Sequence, residues 1–93
     1  MKITKSLAKE TIKGKNYDIN YVNFEFDNES ERANFDEEKV SQSFKELVNN
    51  DKVTVIGILH PEFDMKCQQI LHNLGFFENL EISGWTYYFK QNI

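Results

Sequence analysis

Ninety-three residues, 40% of them hydrophobic and 14% aromatic, suit one domain (1–93) built on a single core. Fifteen acidic against 11 basic side chains leave a net charge of −4, which argues against direct nucleic-acid binding driven by counterion release. The lone cysteine, Cys67, has no partner for an internal disulfide, no N-terminal stretch reads as a secretion signal, and the longest apolar run, Val53 to Leu59, is far shorter than the roughly 18–20 residues of a membrane span. A cytoplasmic protein without a membrane partner is expected.

The mean charge conceals an asymmetry along the chain. Residues 1–15 hold Lys2, Lys5, Lys9, Lys13 and Lys15 against Glu10 alone, whereas residues 25–38 carry seven carboxylates against the single cation Arg32. The N-terminal third reads as a hairpin, with arms Leu7 to Lys13 and Asn16 to Phe26 separated by Gly14–Lys15. Its second arm alternates Tyr17, Ile19, Tyr21 before the apolar register moves to Val22, Phe24, Phe26. Since strand side chains alternate faces, the switch at Tyr21–Val22 predicts a bulge or a change of covering layer.

Phe35-Asp36-Glu37-Glu38-Lys39-Val40 has the layout of a helix start, with Asp36 as N-cap, carboxylates in the first turn and Phe35 set to staple against Val40. The helix runs to about Asn49 and buries Val40, Phe44, Leu47 and Val48. Val53 to Leu59 is apolar on both faces, as an innermost strand covered on two sides by the helices would be. His60-Pro61-Glu62 opens a second helix whose stripe is Phe63, Cys67, Ile70, Leu71 and Leu74, with Gly75 as a left-handed C-cap. Asn79 to Ile82 and Trp85 to Lys90 then flank a Ser83–Gly84 turn, with Trp85, Tyr87 and Phe89 on one face and Thr86, Tyr88 and Lys90 on the other. The order ββαβαββ predicts an α+β fold, a mixed sheet with two helices.

That order, with Leu74-Gly75-Phe76 closing the second helix before a last hairpin, resembles the C-terminal part of GNAT-superfamily acyltransferases in minimal form. The resemblance implies a GNAT-like scaffold and a bulged strand at Tyr21–Val22 facing the pantetheine arm of acyl-CoA. The family's pyrophosphate loop, [Arg/Gln]-x-x-Gly-x-[Gly/Ala], should precede the first helix, yet residues 27–36 contain no glycine and four carboxylates. Converging N–H groups free of Cβ atoms and a non-repulsive field are both missing there. The family's general-acid tyrosine maps to Leu71, which cannot donate a proton. The expectation is a scaffold without acyl-CoA chemistry: no cofactor, no catalytic residue and no metal.

Other chemistry-bearing residues have plainer explanations. His60, Cys67 and His72 lack zinc-ligand spacing, Cys67 and His72 lying about 140° apart around a helix. Cys67 sits on the apolar stripe, where a packed thiol is expected, and His72 lies near a helix C-terminus, where the dipole and solvent accommodate it. Glu62 and Asp64 stand at a helix start, which already favours acids. Aromatic residues of the last strand could stack nucleobases, but only Lys90 is interleaved with them. Trp85, Tyr87 and Phe89 are therefore expected in the core and Tyr88 exposed on an edge strand as a protein contact.

The acidic segment remains. Glu25, Asp27, Glu29 and Glu31 alternate at strand-like spacing and, with Glu37 and Glu38, would present carboxylates to a basic groove. Small acidic inhibitors encoded by phages and mobile elements act in this way, and the abundance of Asn and Lys with little Pro fits an AT-rich genome. A non-enzymatic inhibitor or adaptor that binds a protein with a basic surface through these residues and Tyr88 is expected, and a homodimer is compatible with the sequence.

Overall fold

The structure, a computed structural model, describes residues 1–59 and 64–91. Strand β1 (Lys2–Ile12) pairs antiparallel with β2 (Lys15–Glu25) in unbroken register from Lys2 opposite Glu25 to Ile12 opposite Lys15. The two-residue turn between them is Lys13–Gly14, both at positive φ (51° and 80°), which matches the right-handed twist of the flanking strands. The turn thus lies one residue before the expected position, and β1 starts five residues before Leu7. Edge strand β1 is exposed on both faces along most of its length, so its first half carries no apolar alternation to read.

No bulge interrupts β1 and β2 at Tyr21–Val22. The apolar register changes because the two halves of β2 face different layers. Val22 and Phe24 point to the helices, whereas Tyr17, Ile19 and Tyr21 point to the opposite side of the sheet. The sheet's one register shift lies instead between Glu78 and Leu80.

A short helix that periodicity could not show, α1 (Glu29–Ala33), follows β2. Asn28 caps it, its side-chain oxygen accepting from the Glu31 N–H at 2.8 Å. Helix α2 (Glu37–Val48) begins as expected, with Asp36 Oδ1 accepting from the Lys39 N–H at 3.1 Å, and it buries Val40 and Phe44. Strand β3 (Val55–Leu59) is followed by α3 (Asp64–Asn73), β4 (Phe76–Ile82) and β5 (Trp85–Lys90). Gly75, at φ 88°, ends α3, and its N–H donates to the His72 carbonyl. Ser83–Gly84 makes a second two-residue turn with both φ positive. His60, Pro61, Glu62 and Phe63, the expected start of α3, lie outside the described residues.

The five strands form one mixed sheet in the order β1-β2-β3-β5-β4, with β2 parallel to β3 and the other neighbours antiparallel. β3 is therefore central, and Val55 to Ile58 are buried. Its two apolar faces meet different covers. Val40 and Phe44 of α2 and Cys67 and Leu71 of α3 all join Val22, Ile56, Ile58, Phe76 and Tyr88 in one cluster. The expectation that helices cover both faces is corrected: a second cluster of Ile12, Ile19, Val55 and Tyr87 forms on the other face, where among the described residues Tyr17, Tyr21, Trp85, Phe89 and Leu80, and no helix residue, pack against it.

Candidate functional site

The acidic residues are carried by three kinds of backbone, and this dissolves their strand-like alternation. Glu25 ends β2, Asp27 lies in the connection, Glu29 and Glu31 stand on α1, and Glu37 and Glu38 form the first turn of α2. Only Glu25 belongs to a strand. Glu31 is half-buried and ion-paired with the Met1 ammonium, which foremost holds its carboxyl below the usual range, so it binds the chain to itself. Glu37 pairs with Lys66, and Glu29 approaches Arg32 at 3.9 Å while remaining almost wholly exposed. Glu25, Asp27 and Glu38 are exposed as well, and Glu25 and Glu38 have no ion pair among the described residues.

The start of α2 is already occupied by carboxylates. Asp36 takes the Lys39 N–H and Glu37 and Glu38 complete the first turn, so the positive end of the helix is met by the chain's own acids. An arriving phosphate would have to displace Asp36 against the repulsion of two neighbours.

Tyr88 is not exposed. It is fully buried, on a strand that lies between β3 and β4, opposite Ile56 on one side and Glu78 on the other. The aromatic side chains of β5 do alternate between the two faces, but the edge belongs to β4, where Phe77 and Ile82 show 39% and 43% of their surface. The expected contact through Tyr88 is therefore corrected.

What sequence reasoning missed is the helix-free face. Tyr17, Tyr21, Trp85 and Phe89 lie half-buried across it, with Tyr87 beneath. Tyr21 meets Trp85 edge-on at 4.8 Å between ring centroids, and Tyr17 meets Phe89 edge-on at 5.3 Å. The hydroxyls of Tyr21 and Tyr87 lie 3.3 Å apart. Burial foremost, then the bonds to Tyr87 and to the Glu10 carboxylate, pushes the Tyr21 phenol far up. Such a phenol stays neutral and acts as a hydrogen-bonding group rather than as a base. The alternation of Tyr17, Ile19 and Tyr21 signalled this face, but no local pattern says that a helix will fail to cover it.

Cys67 is buried beside Leu71 on α3. His72 does more than meet a helix terminus: its Nε2 lies 2.5 Å from Glu78 Oε2 on β4, and its ring stacks on Phe77 at 4.8 Å. This bond foremost lowers the Glu78 carboxyl from its ordinary value. Among the described residues no three His, Cys, Asp or Glu side chains come together to hold a metal, and no helix is long and apolar enough to cross a membrane. Comparison of the chain with protein-family models, with curated proteins and with solved structures gave no match.

Proposed function

We propose that the protein is a non-enzymatic binding module, an inhibitor or adaptor, that presents Glu25, Asp27, Glu29 and Glu38 to a basic surface on another protein. One observation carries this reading: four carboxylates on the run from the end of β2 to the first turn of α2 face solvent, while Glu31 and Glu37 are tied to Met1 and Lys66. Solvent-facing carboxylates that outnumber the nearby cations accelerate encounter with an opposite charge and repel wrong partners. After capture of a partner from the source cell, association is followed by stopped flow for wild type and Glu25→Lys/Glu38→Lys at two ionic strengths. The variant should associate more slowly and with a flatter salt dependence. Equal rates at low salt would remove the proposal.

A minimal acyl-CoA-dependent N-acyltransferase on a GNAT-like scaffold is the second reading. The ββαβαββ order, which persists once the short α1 is set aside, favours it. The carboxylates at the start of α2 weigh against it. Thermal shift with coenzyme A separates the two, because ligand at a hundredfold excess over its dissociation constant would add about 2.7 kcal/mol of stability.

A further inference from the structure

The sheet leaves one long backbone edge open. β1 stands at the end of the strand order and pairs only with β2. Ile12 and Lys15 flank the two-residue turn and are bonded across it. Counting back by twos along an antiparallel ladder, the even residues of β1 bond to β2, and Ile3, Lys5, Leu7, Lys9 and Thr11 turn their N–H and C=O groups outward. Leu7, at the centre of that row, is 66% exposed.

Lysines along an edge ordinarily guard it against pairing. Their spacing here also discriminates between neighbouring registers. If β1 is laid antiparallel to a second β1 about a two-fold axis at Ser6, Lys2 faces Glu10 at both ends, Thr4 faces Ala8, and Leu7 lies beside the aliphatic stem of Lys5. An axis at Leu7 sets Lys5 against Lys9, and an axis at Lys5 sets Lys5 against itself, so both neighbouring registers oppose like charges. The helices fit the same register. α2 reaches the first half of β1, with Lys5 Nζ donating to the Ser43 carbonyl and Lys39 Nζ to the Met1 carbonyl. That half faces Leu7 to Thr11 of the other copy, which α2 does not bond to.

We infer that the protein forms a homodimer through β1, the occupant of the open edge being a second copy of this chain, paired antiparallel with Ser6 on the axis and Lys2 bonded to Glu10 of the other copy. The two sheets then run on as one, and both Leu7 side chains are covered. Lys2 stands opposite Glu25 across the hairpin, so this edge borders the acidic segment, but the inference does not rest on the reading of that segment.

Cysteine crosslinking of the full chain tests the register. Ser6 is exposed and falls at a non-hydrogen-bonded pair, whose Cα atoms lie about 4.5 Å apart, within disulfide reach. Oxidised with glutathione disulfide, Ser6→Cys should give a covalent dimer, Thr4→Cys and Ala8→Cys alone about tenfold less, and a mixture of those two should recover the crosslink. Buried Cys67 stays out of the exchange. Sedimentation should show a wild-type dimer and association weakened about tenfold or more by Leu7→Lys, a change at an exposed position. Equal crosslinking at the three positions, no crosslink through Ser6→Cys, or a wild type that sediments as a monomer at every concentration would overturn the inference, and none of these outcomes bears on the acidic segment.

Discussion

The Tyr21 ring lies against Gly57, so closely that a Cβ on residue 57 would meet Tyr21 Cδ1 and Cε1 at 2.9 Å and Tyr87 Cε1 at 3.3 Å. Glycine in a central strand forgoes packing and costs conformational entropy. Here the missing side chain is the space that the ring fills.

Gly57→Ala should therefore destabilise, although alanine suits a strand better. Tyr21 is held by Trp85 on its edge and by the Tyr87 hydroxyl, so it cannot swing aside without losing both. Overpacking of this kind costs about 1–3 kcal/mol. Urea denaturation measures it, and an unchanged midpoint would show that the ring is not confined.

Ile56→Asp is expected to abolish folding. Ile56 is fully buried on the helix-facing side of β3, where a carboxylate would find an apolar cluster. Far-UV circular dichroism with a thermal melt reads the outcome. A soluble variant that melts cooperatively would contradict the central placement of β3. Ile56→Val should lose only about 0.5–1.5 kcal/mol.

Cys67→Ser exchanges a thiol for a more polar hydroxyl inside the α2–α3 cluster and should cost about 1–2 kcal/mol. The native thiol should react with an aromatic disulfide reagent only after denaturant is added. Rapid labelling of the folded protein would place Cys67 at the surface.

Acid should weaken the junction between α3 and β4. His72 lowers the folded pKa of Glu78, so the carboxylate is favoured in the folded chain. Its contribution is present above the ordinary glutamate value of about 4.3 and is lost as pH falls through the depressed folded value. Melting temperatures of wild type and Glu78→Gln should thus differ near neutrality and converge in acid. A constant difference at all pH values would mean that the pair does not stabilise the fold.

Most elements were legible because burial imposes a period. Val40 and Phe44 on α2, Cys67 and Leu71 on α3, and the two-sided apolar run of β3 each announce what covers them, and Asp36 and Gly75 mark helix ends through groups that the backbone requires. The failures share a cause. The first half of β1 is exposed on both faces and α1 is only five residues long, so neither imprints a period. The alternation of β5 separates Tyr88 from Trp85, Tyr87 and Phe89 but does not show that the Tyr88 face is the helix-covered one or that β5 is an inner strand, because strand order and layer are decided by long-range pairing and not by local alternation. The acidic run was legible as composition. Which of its carboxylates the chain uses for itself was not, since Met1 and Lys66 reach Glu31 and Glu37 only in the folded chain.

The position of β3 also governs how the chain finds its fold. The hairpins β1–β2 and β4–β5 close through adjacent residues around two-residue turns, events of about 1–10 μs. Val55, by contrast, pairs with Ile19, 36 residues upstream, and with Phe89, 34 residues downstream. The five residues of β3, together with the Thr54 carbonyl that accepts from the Lys90 N–H, thus join two local units, and seating them requires both long loops to be closed. Folding kinetics should accordingly be set by β3: Ile58→Val should slow refolding, while changes at Lys13 or Ser83 should act mainly on the rates within each hairpin.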